Sequence, residues 1–217
     1  LNYTFTAVDP EGPFSMEIVY TDSVGNEGDT VITTTNGSLI IFDNTPPTDP
    51  TTGAAKPTGG NVVTNVWNST NTGLDVIVPI ESDTTLDSGR VQIYAKVGSN
   101  PYEKIGDYEF IQSEEVGAIK TVSFPRDSIE ALVGYAENDT LYFKSHLFDI
   151  PGNETEGAES ATKLLIDETH PVVVNSSIKS NNADTTRAKV GDIITISLEV
   201  DEAVQTPTMT IASGSGT

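Results

Sequence analysis

The 217-residue chain contains no cysteine, two methionines and one tryptophan. The missing cysteine excludes a disulfide framework, a thiolate zinc site and a cysteine nucleophile. Basic residues are also scarce, with 11 Lys and Arg against 32 Asp and Glu, so the formal net charge is -21. Because nucleic-acid binding draws on clustered Lys and Arg, we expect no nucleic acid among the partners.

Long apolar runs are missing too. No run approaches the roughly 18 residues of a membrane-spanning helix, and the charged and apolar regions of a signal peptide are not present. We therefore expect no membrane span and interpret Leu1 as a processed or excised start. Hydrophobic residues still make up 36% of the chain, with seven Phe and seven Tyr. This is enough to bury at least one core, so the chain is not a disordered acidic tail.

What the sequence does contain is a series of short strands. Apolar and β-branched residues recur with period two in runs bounded by Gly, Pro, Asn and Asp, which is typical of strands. The runs lie at residues 15–20, 61–67, 74–80, 90–97, 120–124, 140–148, 162–166 and 192–200. Residues 127–134 alone look helical, with Asp127 as the predicted N-cap. Many short strands without βαβ alternation predict an all-β chain of antiparallel sandwiches.

One stretch of the sequence occurs twice. Residues 19–47 run parallel to residues 147–171, and each copy has an Asp-x-x-Gly-Asn-Glu turn followed by an Asp-x-Thr-x-Pro linker. The corresponding positions are Asp22, Gly25, Asn26, Glu27, Asp43, Thr45 and Pro47 in the first copy and Asp149, Gly152, Asn153, Glu154, Asp167, Thr169 and Pro171 in the second. Two copies imply two domain ends.

On these motifs the chain resembles the bacterial immunoglobulin-like tandem repeats, with cadherin-like relatives, of very large secreted and surface proteins. In that family a D-x-x-G-N turn precedes the last strand and a D-x-T-x-P linker closes each domain. Residues 59–83, GGNVVTNVWNSTNTGLDVIVPIESD, are similar to the middle of such a domain, and residues 188–204, AKVGDIITISLEVDEAV, to its beginning. The resemblance covers essentially the whole chain. It implies a secreted or cell-surface location in an adhesin-type or matrix protein.

The repeat boundaries divide the chain unevenly. Residues 48–170 are predicted to form one complete immunoglobulin-like sandwich, residues 1–47 the C-terminal half of another, and residues 171–217 the N-terminal half of a third. The two halves have about 94 residues together, close to the roughly 100 of one such sandwich. Half a sandwich exposes an apolar face and unpaired strand edges, so we expect each half alone to be unfolded or sticky.

Two explanations fit these half domains. The chain is a window on a long tandem array, or separate subunits complete one another head to tail by strand addition and form an open filament. In either case the expected partners are neighbouring repeats or copies of the chain itself, which bind through residues 1–47 and 171–217.

Acidic residues gather near the turns and linkers of the two copies, where hard oxygen ligands would suit Ca²⁺. The candidate ligands are Asp22, Asn26, Glu27, Asp43, Asp149, Asn153, Glu154 and Asp167. Their spacing matches neither an EF-hand loop nor a glycine-rich nonapeptide calcium repeat. The alternative is structural: each Asp caps backbone amides of its own turn, while Gly and Asn accept positive φ. Ca²⁺ is the one cofactor that the sequence suggests.

Enzyme sites find little support. His146 falls in a predicted strand and His170 in a linker, and the sequence has no G-x-S-x-G elbow, phosphate loop or dinucleotide fingerprint. We therefore expect no enzyme.

The aromatic residues suggest a core position and a surface patch. Trp67 sits in an apolar alternation and is predicted to be buried. Tyr94, Tyr102 and Tyr108 are close enough in sequence to form a patch for a glycan or a cell-surface receptor. The main expectation is nevertheless architectural: an extracellular repeat segment that extends or assembles a fibre, kept soluble by its charge. A self-assembling filament subunit and a glycan- or receptor-binding module are the alternatives.

Overall fold

The structure of the chain is a computed structural model that describes residues 2–48 and 50–210. These residues form two compact units, which divide between Asp167 and Glu168. The regular structure is nearly all β-strand in mostly antiparallel sheets, which confirms the all-β prediction. The helical residues within these ranges are α1 (Arg126–Glu130) and two 3-10 turns at Thr84–Leu86 and Ser113–Glu115. None of these helices is long and apolar enough to cross a membrane.

The first unit contains strands β1 to β11. They are β1 (Gly12–Pro13), β2 (Ile41–Phe42), β3 (Ala55–Thr58), β4 (Val66–Asn68), β5 (Gly73–Pro79), β6 (Arg90–Val97), β7 (Glu103–Phe110), β8 (Ile119–Pro125), β9 (Thr140–Phe148), β10 (Glu154–Glu156) and β11 (Leu164–Asp167). One sheet has the order β3-β5-β8 and a larger one the order β4-β11-β9-β6-β7, with β10 paired to β9. The β4–β11 pair is parallel. We call residues 50–167, which hold these two sheets, the sandwich.

The hydrophobic core of the sandwich lies between the two sheets. Inward-facing residues of β5, β6 and β9 follow the strand period of two, so their apolar side chains meet in one layer. Every buried hydrophobic residue of the described ranges lies between Ala55 and Ile166, in a single cluster. Trp67 is fully buried, as predicted, and its indole Nε1 donates to the Tyr135 hydroxyl at 2.8 Å. The stability of the first unit therefore comes from the sandwich.

The predicted helix is present but begins earlier than expected. The N-cap residue of α1 is Pro125, with no side-chain cap, so the prediction of Asp127 as N-cap is wrong. Pro125 ends β8, and the next amide, of Arg126, donates to the Thr72 carbonyl at 3.0 Å. That bond to the residue before β5 turns the chain into the helix without a polar cap. Asp127 lies in the first turn, where a carboxylate complements the helix dipole.

Two predicted strands are wrong in whole or in part. Residues 15–20 contain an isolated bridge between Ile18 and Val31 and no continuous strand, because no neighbouring segment pairs along their length. Within residues 61–67, only Val66 and Trp67 belong to β4. The preceding residues form a turn, in which Asn65 has a φ of 61° and the Val66 amide donates to the Val63 carbonyl at 3.2 Å.

Residues 2–48, which we call the leading segment, belong to the first unit but have little paired backbone. Their pairs are β1 with β2 and the isolated bridges at Ile18 and Thr21. Four rings contact one another at centroid distances of 4.5–5.7 Å: Tyr3, Phe5, Phe14 and Phe42. Eleven large hydrophobic side chains of the segment are exposed, and none is buried. The leading segment thus has no core of its own.

The second unit, described over residues 168–210, is built on one antiparallel hairpin of β12 (Val173–Ser180) and β13 (Ile194–Val200). Its two faces differ in polarity. Ile194, Ile196 and Leu198 alternate with Thr195, Ser197 and Glu199 along β13 and therefore lie on one face. Ile178 of β12 is opposite Ile196 and adds to that face. Eleven large hydrophobic residues of this unit are exposed, and the described part of it buries none.

Candidate functional site

The Asp149 turn of the sandwich is held by its own carboxylate. Asp149 Oδ1 accepts from the amides of Gly152 at 2.8 Å and Asn153 at 2.7 Å, and Oδ2 accepts from Asn153 Nδ2 at 2.8 Å. Gly152 supplies the positive φ, 103°, that closes the turn. The Asp149 amide in return donates to the Asn153 carbonyl at 3.2 Å.

The Asp22 turn of the leading segment is capped in a similar way, with one amide donor from a different position. Asp22 Oδ1 accepts from the amides of Val24 at 2.9 Å and Asn26 at 2.8 Å, and Oδ2 accepts from Asn26 Nδ2 at 2.7 Å. Gly25 has a φ of 97°. The hydrogen bond from the Asn26 side chain, followed by the amides, lowers the pKa of Asp22. Both carboxylates therefore use both oxygens to cap their own turns, which is the structural role considered for the motif.

The remaining predicted calcium ligands have different neighbours. Asp43 Oδ1 accepts from the Thr45 amide at 3.0 Å. Glu27 lies in the bridge to Thr21, and Asp167 ends β11. Glu154 Oε1 lies 2.5 Å from Nδ1 of the buried His146. Across residues 2–48 and 50–210, no group of three or more His, Asp or Glu side chains is placed to hold a metal ion.

The Asp149 turn also holds the linker that leads into the sandwich. Asn153 Nδ2 donates to the Asp43 carbonyl at 3.2 Å, and Thr155 Oγ1 donates to the Pro47 carbonyl at 2.6 Å. We call these two bonds the linker joint. The structure thus brings Asp43 to Asp149 and Asn153, which lie more than a hundred positions later in the sequence. Sequence reasoning missed Thr155 because nothing in its neighbourhood indicates the carbonyl that it meets.

The outer face of the larger sheet carries a second cluster of polar and aromatic side chains. Tyr94 and Lys96 of β6 are opposite Lys144 and Tyr142 of β9. Because the alternate residues of both strands are buried in the core, these four point away from it. Basic residues are concentrated here although the chain as a whole is strongly acidic.

Cations lie over two tyrosine rings of this face. Lys96 Nζ is 4.7 Å from the ring centroid of Tyr102 and 4.9 Å from that of Tyr142. Lys144 Nζ lies 4.3 Å from the Tyr102 centroid, and Lys163 Nζ lies 4.7 Å from the Tyr142 centroid. We call these five residues the lysine–tyrosine network. Since its members come from β6, β9, the loop before β7 and the residue before β11, the network connects neighbouring strands across the sheet.

Two glutamates complete the network. Glu159 accepts from the Tyr102 hydroxyl at 2.6 Å and lies 3.7 Å from Lys96 and 3.6 Å from Lys163. The Tyr102 hydrogen bond, followed by Lys96 and Lys163, lowers the pKa of Glu159. Burial and then Glu159 raise the pKa of Tyr102. Lys144 pairs with Glu156 and lowers the pKa of that carboxyl.

The three tyrosines predicted to form a patch do lie on this one face. Tyr94 packs against the His146 ring at a centroid distance of 4.2 Å and has Lys104 Nζ at 6.0 Å. The Arg90 guanidinium lies 5.0 Å from the Tyr108 centroid. Every one of the three rings, Tyr102 included, therefore has a cation over it. A cation therefore shares each ring with any sugar that would stack on it, although Tyr108 remains 48% exposed.

No known protein-family model matches the chain, and no curated protein matches it. The described residues thus contain a joint between the linker and the sandwich, a network across one sheet, and exposed apolar residues on the leading segment and on β13.

Proposed function

We propose that the chain is a structural segment of immunoglobulin-like repeats that extends or assembles an extracellular bacterial fibre, matrix or adhesin-type surface protein. The observation that carries the proposal is that the linker joint and Asp167 lie at opposite ends of the sandwich. The joint lies beside β10, which pairs with residues 146–148 at the end of β9. Strand β11, which ends at Asp167, pairs with Thr140 and Leu141 at its start.

A sandwich whose chain enters at one end and leaves at the other acts as a spacer between the segments on either side of it. A nine-residue strand such as β9 spans about 27 Å. A polypeptide that enters at one end and leaves at the other advances by at least that length. Chains built of such units are extended, which suits a stalk or fibre.

The linker joint supports the same function by limiting the movement of the linker relative to the sandwich. Asn153 and Thr155 fix two carbonyls of the linker, and Pro46 and Pro47 restrict its backbone. The incoming residues 50–53 are then bound along the sandwich. The Ala158 amide donates to the Pro50 carbonyl at 3.2 Å, and the Ser145 amide donates to Thr52 Oγ1 at 2.7 Å. A pull on the linker therefore loads several hydrogen bonds at once.

The distance between the two ends tests the proposal directly. Because the chain has no cysteine, Thr48→Cys and Asp167→Cys can carry a unique pair of spin labels. We expect one narrow distance distribution centred at about 27 Å or above. A broad distribution, or a centre well below that length, would contradict the spacer function.

The denatured mass of the native polypeptide, taken from its source, separates the proposed repeat segment from its first alternative. A mass many times 23.1 kDa indicates a long tandem array. A mass near 23.1 kDa, from material that is polymeric before denaturation, indicates a filament subunit.

A glycan- or receptor-binding module is the other candidate, favoured by the shared face of Tyr94, Tyr102 and Tyr108. The cations over those rings oppose it. A glycan array probed with the wild type and with Tyr94→Ala and Tyr102→Ala decides between the two. Binding that both substitutions abolish would establish the module, and absence of binding leaves the structural function.

A further inference from the structure

The apolar face of the β12–β13 hairpin is uncovered in this structure. Ile194, Ile196 and Leu198 are 44–48% exposed, and Ile178 beside them is 68% exposed. The opposite face of β13 carries Thr and Ser residues and Glu199. A two-stranded sheet with one apolar face is not stable by itself in water, so this face requires a cover.

The sandwich shows how an equivalent face is covered. In β5 and directly after it, Leu74, Val76, Val78 and Ile80 repeat the period-two pattern of the hairpin, 120 positions before Ile194, Ile196, Leu198 and Val200. Like β13, β5 pairs antiparallel with the strand that precedes it in its sheet, β3. These four side chains of the sandwich are only 0–3% exposed.

Part of the core that covers β5 comes from the repeated sequence. Leu147 of β9 and Leu164 and Ile166 of β11 belong to the same core cluster as β5. All three lie within residues 147–171, the second copy of the repeat. The equivalent of this part of the core lies in the first copy, residues 19–47.

The first copy has the matching apolar residues, and they are free. On the spacing of the two linkers, Ile40 and Ile41 correspond to Leu164 and Leu165. Leu164 is fully buried, whereas Ile40 is exposed and lines an open groove with Phe14, Met16, Ile32 and Leu39. Ile41, like Leu165, is exposed.

The two surfaces also differ in charge. Residues 1–47 contain seven Asp and Glu and no Lys or Arg, while residues 168–217 carry six Asp and Glu and three basic residues, Lys179, Arg187 and Lys189. The pairing of hairpin and leading segment therefore brings some opposite charges together and has less like-charge repulsion than the pairing of two leading segments.

We propose that the apolar face of the β12–β13 hairpin of one copy packs on the leading segment of a second copy, so that the two close one sandwich between them. This inference rests on the assembly function proposed above and names its partner. Each copy offers one hairpin and one leading segment, so the contact is heterologous and chains can grow without closing.

Two single substitutions in the full chain test it. Ile196→Lys charges the hairpin face at the position equivalent to buried Val76, and its control, Ser197→Lys, charges the opposite face. Ile40→Lys charges the leading segment at the position equivalent to buried Leu164, and its control is Ile41→Lys. The core of the sandwich contains none of these residues, so circular dichroism and Trp67 fluorescence check that each variant is folded.

Sedimentation velocity over a range of concentrations supplies the readout. We expect the wild type and both controls to grow in mass with concentration, and Ile196→Lys and Ile40→Lys each to stay at 23.1 kDa. A mixture of these two variants in equal amounts retains one intact hairpin and one intact leading segment, so its mass should double and then stop. A doubling of mass in the mixture, and in neither variant by itself, indicates a heterologous interface.

Other outcomes overturn the inference. A wild type that is monomeric at every concentration shows that no second copy covers the hairpin. If Ile40→Lys associates by itself, the hairpin pairs with another hairpin. The spin-label distance, measured in monomeric Ile196→Lys, stays a separate test of the spacer: a correct distance without association contradicts only the pairing, whereas a collapsed distance contradicts the proposed function.

Discussion

Replacing Asp149 by Ala should destabilise the sandwich strongly. Asp149 is 1% exposed, and its carboxylate accepts three hydrogen bonds. Asp149→Ala leaves the amides of Gly152 and Asn153 without their acceptor and also frees the Asn153 side chain. Gly152 is at the surface, where water replaces part of the loss. With hydrogen bonds to a charged group each contributing about 1.5–3 kcal/mol before such replacement, we expect a net cost of about 3 kcal/mol.

Urea denaturation followed by the fluorescence of Trp67 measures this cost. Trp67 is the one tryptophan of the chain and is fully buried, so its emission reports unfolding of the sandwich alone. A cost of this size also lowers the thermal midpoint by roughly 10 °C. The matched control is Asp22→Ala, which removes the same three bonds from the leading segment and should leave the midpoint unchanged. Equal midpoints for the two variants would refute the assignment of a supporting role to Asp149.

Three further predictions concern the joint, acid and divalent ions. Thr155→Val removes the bond to the Pro47 carbonyl and should broaden a spin-label distance between the leading segment and the sandwich, whereas Thr121→Val on β8 should not. Hydrogen bonding and Lys neighbours lower the pKa of Glu159 below its ordinary 4.5. The stability that the Glu159 carboxylate gives the folded state is therefore complete above pH 4.5 and is lost as the pH falls through the lower pKa of the folded state. Glu159→Gln should make the acid side of the plot of thermal midpoint against pH shallower, and an identical plot would count against the network. Ca²⁺ relieves carboxylate repulsion in a chain of charge -21. The thermal midpoint should therefore be lower in excess EDTA than in millimolar Ca²⁺ at equal ionic strength, and an unchanged thermal midpoint would contradict this prediction.

Residues that act within one strand or one turn could be predicted from the sequence. The period of two located β6 and β9 at their observed bounds and β5 within one residue. The Asp-x-x-Gly-Asn motif indicated a capped turn, and both copies have one. Both signals are local, because alternation and capping depend on neighbours a few positions away.

Contacts between distant residues could not be predicted in this way. The network joins Lys96, Tyr142 and Lys163, and the joint links Thr155 to Pro47 across 108 positions. Neither has a motif, since each depends on which strands become neighbours. Residues 15–20 failed as a strand for a related reason: alternation indicates which side chains share a face, but pairing needs a partner along the strand.

The linker joint has a consequence for the order in which such a polypeptide acquires its shape during synthesis. Asp43 and Pro47 leave the ribosome about a hundred residues before Asn153 and Thr155, which bind them. Domains fold as units, N-terminal first, at roughly 5–20 residues per second. Each linker therefore stays pliable for several seconds and stiffens only when the domain behind it is finished. In the proposed fibre, a nascent chain would therefore become rigid from its oldest end, one joint at a time.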